Sequence, residues 1–431
     1  MKKTLLILLM ISFIIPMFAA PVTAAPNIAG RIAIVMDFET GEILYERGAH
    51  TRWIPASMTK TLTAFIVYEE IEAGNITMDT YARVSAFASR IASGGYGVQG
   101  NHVSMRAGSY VRVEDLLLLN MLPSSNGASV VLAELISGSE AAFVQRMNST
   151  AYALGMYPGF VNAHGATVNH TTAYSIAILT REFIRRFPDI LRITSQSHMY
   201  FEGRRQSNTN LLVRPDSEFF RPSVDGFKTG IIREAGWGHS VTEYRDGRRI
   251  IAVVMNSTDN PGRHRDSLAL LDFGFAEAAR RDVYREEALR AEMEINAPYI
   301  ILNGEQMYFD VPPIITNGRT LVPFRAILET LGAWVYWNED DGLVAAYTYE
   351  KNIRLTVGDS AATVISGGVS QTVWLDVPPT IMFGRTLVPL RFVAETLGAR
   401  VNWDYDSWTI TIDTIFEDED EQIEVEQEDV F

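Results

Sequence analysis

The chain has 431 residues, 47% of them hydrophobic, which is enough for two or three domains with cores of their own. It contains no cysteine, which excludes disulfides and thiolate metal sites. The formal net charge is −15, with nine acids crowded into residues 417–431, and this balance argues against nucleic acid as a partner.

Met1-Lys2-Lys3, the apolar run over residues 5–20 and the small residues Val22-Thr23-Ala24 have the charged, apolar and cleavage regions of a secretory signal. A leader over residues 1–24 is therefore expected, with the mature protein exported, extracellular or associated with the cell wall. Two strands, over 32–37 and 42–45, read as a hairpin joined at Thr40-Gly41. Beyond it, Met58, Leu62, Phe65 and Ile66 recur at helical spacing behind Pro55, so Ser57 falls in the first turn of a helix. Lys60, three residues on, shares its face and can reach the hydroxyl. Only five of the 37 basic residues are lysines, and two of those belong to the leader. A chain that so prefers arginine retains at position 60 the one cation of the two that can give up its proton, so Ser57 and Lys60 read as nucleophile and base.

The glycine-rich stretch over 93–100 lacks the lysine and hydroxyl of a phosphate loop and reads as a surface loop. Residues 113–122 and 128–136 read as apolar helices, with Ser124-Ser125-Asn126-Gly127 at the corner between them, either a helix cap or a hydroxyl and an amide offered to a cleft. His164 and His170 read as loop hydrogen-bonders. Residues 224–230, 239–242 and 250–256 form an antiparallel run of strands, with Lys228-Thr229-Gly230 at a strand end. A cation, a hydroxyl and an approachable backbone meet there.

Three motifs thus stand in order: Ser57-x-x-Lys60, Ser124-x-Asn126 and Lys228-Thr229-Gly230. Together they resemble the active-serine penicillin-recognising enzymes, and the flanks Pro55-Ala56 and Asp225-Gly226-Phe227 resemble the low-molecular-mass D-alanyl-D-alanine carboxypeptidases, serine peptidase family S11, over residues 28–275. The resemblance implies an α/β fold, a penicillin-binding/β-lactamase-like domain in which a five-stranded antiparallel sheet is covered by helices. It implies Ser57 as nucleophile, Lys60 as base and Ser124 as proton relay. Asn126 and Thr229 would bind substrate, and Lys228 would supply positive potential. Arg263, in Gly262-Arg263, would help hold a terminal carboxylate, and the backbone N–H groups of Ser57 and Ile231 would form the oxyanion hole. No cofactor or metal is implied. The implied partners are peptidoglycan stem peptides, with β-lactam antibiotics as inhibitors. Two positions depart from the pattern: Ile231-Ile232 stands where His-Thr is frequent, and Gly127 where the family usually has aspartate.

The alternatives are a class A serine β-lactamase and a penicillin-binding module that senses the wall. The first adds a Glu-x-x-Leu-Asn absent between Asn126 and Lys228; the second would not need a lysine able to lose its proton.

After an Arg/Glu-rich linker at 282–296, the chain repeats itself at an offset of 66 residues. Gly318-Arg319-Thr320-Leu321-Val322-Pro323 recurs as Gly384-Arg385-Thr386-Leu387-Val388-Pro389, and Glu329-Thr330-Leu331-Gly332-Ala333 as Glu395-Thr396-Leu397-Gly398-Ala399. Each copy reads as strands around a short helix ending at glycine, a smaller α+β two-repeat domain over 297–414 that resembles the copper amine oxidase N-terminal-like domain. No histidine follows His264, so copper is not expected. The repeats are expected to bind a cell-wall or protein ligand or to act as a spacer, and the acidic tail at 415–431 is expected to be disordered.

Overall fold

The structure is a computed structural model that describes residues 24–414. All but the last residue of the leader called at 1–24, and the whole acidic tail called at 415–431, lie outside the described residues. The chain divides into two compact units at Arg280/Arg281.

The first unit is built on a five-stranded antiparallel sheet. Its strands are β1 (Ile32–Asp37), β2 (Ile43–Arg47), β3 (Val224–Ile232), β4 (Gly236–Arg245) and β5 (Arg248–Ser257), in the order β2-β1-β5-β4-β3. β1 is buried along its whole length because both faces are covered. Side chains alternate along a strand, so Ile32, Ile34 and Met36 join one core with Met58 and Ile176, while Ala33 and Val35 join another with Leu270 and Leu271. The helices covering those faces are α5 and α6, in the series α1 (Lys60–Glu72), α2 (Val113–Met121), α3 (Asn126–Ser137), α4 (Glu140–Ala153), α5 (Ala173–Arg186) and α6 (Asn260–Asn296).

A separate core unites α1 to α5 around Phe65, Leu116, Val130, Phe143 and Phe183. Every residue of α1 from Lys60 to Tyr68 is buried, so this helix has no polar face and serves as the axis of the helical lobe. Hydroxyl caps fix where its neighbours begin: Ser125, Ser139 and Thr172 accept from the third N–H of α3, α4 and α5.

In the second unit, residues 282–296, read from sequence as a linker, belong to the C-terminal part of α6. The repeat appears as local two-fold symmetry. Strands Arg319–Pro323 and Arg385–Pro389 pair antiparallel with Val322 opposite Val388, its own equivalent 66 residues on. Ion pairs cross the axis reciprocally, Arg319 to Asp376 and Arg385 to Asp310. Each copy adds one short helix, Phe324–Thr330 or Leu390–Thr396, closed by Gly332 or Gly398 with positive φ as the left-handed C-terminal geometry requires. Met293 packs against the symmetric set Val311, Leu321, Val377 and Leu387.

Candidate active site

The nucleophile segment is shaped before any chemistry is considered. Pro55 leads into a 3-10 turn, Ala56–Thr59, that runs directly into α1, so Ser57 lies one turn ahead of the α-helix rather than inside it. Ala56 holds φ at +48°, a conformation that costs a residue with a Cβ about 1–2 kcal/mol. Two glycines admit this turn. A Cβ on Gly165 would lie 1.9 Å from the Ala56 carbonyl oxygen, and one on Gly230 would lie 2.5 Å from that of Pro55. Gly230 thus brings the end of β3 against the serine turn.

Lys60 is fully buried and its Nζ lies 3.1 Å from Ser57 Oγ. It donates to Asn126 Oδ1 at 2.8 Å and to the carbonyl of His164 at 2.5 Å. Burial, followed by repulsion from Lys228, holds its pKa well below the ordinary lysine range. With two N–H groups occupied, the lone pair of the neutral amine is left for the Ser57 hydroxyl. Asn126, the first residue of α3, is locked in turn by donating Nδ2 to the carbonyl of Gln99 at 2.8 Å. Its amide therefore sits between the lysine and the 93–100 loop. Ser124 has φ of +67° and a buried hydroxyl with no partner among the described residues. An unpaired buried hydroxyl costs about 1–3 kcal/mol, and this one lies two residues from the amide that holds Lys60.

β3 is an edge strand, so one side of its backbone is left unpaired by the sheet. Its entrance is clamped by Asp225, which accepts from Arg249 Nη1 at 2.7 Å and Nη2 at 2.8 Å. Lys228 Nζ donates to the carbonyl of Thr229 at 3.2 Å, and the Thr229 hydroxyl donates to Thr209 Oγ1 at 2.6 Å. Burial and then Arg263 lower the Lys228 pKa to about 7. Arg263, near the start of α6, is buried, lies over the Trp237 ring and donates to the carbonyl of Gly230 at 3.3 Å. Burial lowers its pKa to about 9. Among the described residues none of Lys60, Lys228 and Arg263 pairs with a carboxylate. With Lys60 held neutral, Lys228 and Arg263 remain as buried cations with no carboxylate partner among the described residues, and they favour an anion. The Ile231 N–H follows Gly230 on this strand, and Ile232 packs with Ala56.

Several members of the site escape a reading by side-chain type. The glycine-rich loop is not a bystander on the surface: Gln99 gives its carbonyl to Asn126, while its own amide group bonds Arg233 N–H and Glu234 just beyond β3. His164 serves through its backbone carbonyl. Its imidazole accepts from Ala166 N–H, and burial and then Lys60 lower its pKa to about 3. Asn169 bonds Thr59, and Asn120 bonds the Lys60 carbonyl. The density of asparagine and glycine over 162–169 was the available signal; a carbonyl that matters carries none. Gly127 also has its reason here, since a Cβ there would lie 2.4 Å from that of Ala92. The neighbouring helix packs where an aspartate would stand.

Comparison with known proteins agrees with this architecture. The Peptidase S11 family, described as D-alanyl-D-alanine carboxypeptidase, matches residues 19–259, and the copper amine oxidase N-terminal domain matches 301–412. The D-alanyl-D-alanine carboxypeptidase DacF of Bacillus subtilis is 29% identical over 287 residues, 65% of this chain and 69% of its own length. DacD of Escherichia coli is 32% identical over 252 residues, 58% of this chain and 64% of its own. The matched part of the chain thus spans about two thirds of these curated relatives. Among solved structures, penicillin binding protein 6B from Escherichia coli has 31% identity and a TM-score of 0.54, covering 60% of this chain and 80% of that one. A peptidoglycan synthesis regulatory factor (PBP3) from Streptococcus pneumoniae has 30% identity and a TM-score of 0.54, covering 58% and 72%. The first unit, a five-stranded sheet covered by helices, shares the fold of those neighbours, and the chain belongs to the D-alanyl-D-alanine carboxypeptidase family S11.

Proposed function

We propose that this protein is a serine-type carboxypeptidase that removes the terminal D-alanine from peptidoglycan stem pentapeptides through an acyl-enzyme on Ser57. The observation that carries the reading is the Lys60 amine, buried beside Ser57 Oγ at 3.1 Å and depressed in pKa by burial and by Lys228.

In the proposed reaction, Ser57 Oγ attacks the carbonyl carbon between the two D-alanines while its proton passes to Lys60 Nζ. The oxyanion is held by the N–H groups of Ser57 and Ile231, each donor being worth roughly a hundred- to a thousandfold in rate. As the C–N bond breaks, the proton moves through the unpartnered Ser124 hydroxyl to the leaving amine. D-Alanine departs, and water then attacks the ester, returns a proton through Lys60 and frees Ser57. The substrate lies along the β3 edge, its terminal carboxylate facing the Thr229 hydroxyl and the charges of Lys228 and Arg263. Asn126 orients Lys60, and its second contact, to Gln99, ties the 93–100 loop to the base.

A β-lactam presents a strained amide and a carboxylate to the same groups, so it is proposed to acylate Ser57; the solved neighbour from Escherichia coli is itself named a penicillin binding protein. The protein is proposed to work outside the cytoplasm, at the wall, a reading supported by the leader expected at residues 1–24 and by the nature of such a substrate.

The test is D-alanine release from a pentapeptide ending in D-Ala-D-Ala by the parent chain and its Ser57→Ala variant. Release and covalent penicillin labelling are both expected to vanish with Ser57. Release that persists in the variant would remove the assignment.

A further inference from the structure

The repeats of the C-terminal unit are built to one plan but do not present the same surface. A cleft of about 430 Å³ opens beside the second copy, floored by Trp403 and Trp408 and flanked by Trp374 and Tyr405. Trp374 is 75% exposed and Tyr405 79% exposed, and the two line one cleft rather than standing singly on the surface. Trp403 meets Tyr405 and Trp408 edge to face, with centroids 5.4 and 5.2 Å apart, which holds the rings as a fixed platform. The indole N–H of Trp403 is buried and has no acceptor among the described residues.

The first copy supplies an internal comparison. Sixty-six residues earlier, Tyr405 corresponds to Glu339 and Trp408 to Gly342. Gly342 has φ of +59° and Trp408 has φ of +55°, so a tryptophan occupies a left-handed backbone position that its counterpart fills with glycine. A bulky residue there is a true outlier, and the fold itself is served by the glycine. Its ring is fixed by an N–H bond to the carbonyl of Asn296 at 3.2 Å. The strain is retained together with aromatic rings at 405 and 408 that the first copy replaces by Glu339 and Gly342.

The polar groups on the lining narrow the ligand. Its charged residues are two arginines, Arg319 and Arg391, and two acids, Asp376 and Glu395, so the cleft has no net sign to draw a polyanion or polycation. Arg319 already pairs with Asp376 on the rim. Flat apolar ring faces interleaved with neutralised planar donors and acceptors match a pyranose, whose C–H face is apolar and whose rim is hydroxyl. We propose that this cleft is a glycan-binding site, with Trp374, Tyr405 and Trp408 stacking on successive sugars of a polysaccharide strand. The inference stands on the second unit alone and is independent of the reaction assigned to Ser57.

The experiment is calorimetric titration of the full chain with two probes, peptidoglycan glycan strands stripped of their stem peptides and cellohexaose, which separates wall glycan from β-glucan as the source of the sugar. Saturable binding to at least one is expected. Trp374→Ala combined with Tyr405→Ala should weaken it about tenfold or more. Tyr308→Ala, at the exposed position equivalent to Trp374 in the first copy, should leave it unchanged. Ser57→Ala should bind as the parent does, so a failure of the reaction assignment leaves this result readable. Binding to neither probe, or a double variant that binds as tightly as the parent, overturns the proposal.

Discussion

Lys60 can act as a base only while it is neutral, and two features on different elements keep it so, burial in α1 and the charge of Lys228 on β3, while the Asn126 and His164 oxygens fix where its hydrogens point. An arginine at position 60 would carry a permanent charge. Lys60→Arg is therefore expected to lower the rate of penicillin labelling by about a hundredfold or more, the scale on which a positioned base works. A labelled-penicillin time course checks this, and a parental rate would take the role from Lys60. Lys228 sets a pH limit of its own. Its pKa of about 7 means that it loses its charge as pH rises through neutrality, so kcat/KM for a peptide with a free terminal carboxylate should fall above about pH 7, with a smaller fall for the corresponding amide. The linkage sign follows from the same shift. Between about pH 7 and the ordinary lysine value of 10.5 the unfolded chain binds a proton that the native chain does not, so stability rises with pH across that window. Lys228→Met should raise neutral-pH stability by ~1–4 kcal/mol, the range found when buried charges give way to apolar side chains, and denaturant unfolding at pH 7 measures it.

At the scale of elements, the distance between β3 and the serine turn is set by a missing side chain. A Cβ on Gly230 would meet the Pro55 carbonyl at 2.5 Å and the Met58 nitrogen at 3.3 Å, both backbone atoms that cannot rotate away. Gly230→Ala should push the strand off the turn and separate the Ile231 and Ser57 N–H groups. The expected loss is about ten- to a hundredfold in acylation, since small misplacements at a reacting centre are costly. Acylation at the parental rate in a folded Gly230→Ala chain would show that this contact does not set the site. The hairpin of β1 and β2, the antiparallel run of β3 to β5 and the helices at 113–122 and 128–136 were legible in sequence because alternation and helical periodicity are local. The start of α3 at Asn126 was displaced from the periodicity reading by the Ser125 cap, which draws the first turn forward over polar residues.

Among the described residues the molecule carries two sets of cores with no shared residue. Those around Phe65, Val35 and Ile34 lie before Arg280, and those around Val344 and Val311 after it. Cooperative unfolding follows shared cores, so scanning calorimetry of the full chain should resolve two transitions. A chain ending at Arg280 should retain D-alanine release within about twofold. A single transition, with release lost on truncation, would show that the repeats complete the catalytic fold.

The order Ser57-x-x-Lys60, Ser124-x-Asn126, Lys228-Thr229-Gly230 and the 66-residue repeat belong to the sequence by itself, because a nucleophile, a deprotonatable lysine and a recurring pattern are properties of residue type and spacing. What only the tertiary structure decided is which groups surround them. The contribution of the Gln99 and His164 carbonyls, the lack of a carboxylate partner for Lys228 and Arg263 among the described residues, and the clustering of Trp374 with residues 403–408 depend on segments far apart in the chain. Every residue has the same carbonyl, and a pKa depends on burial and on neighbours brought near by folding.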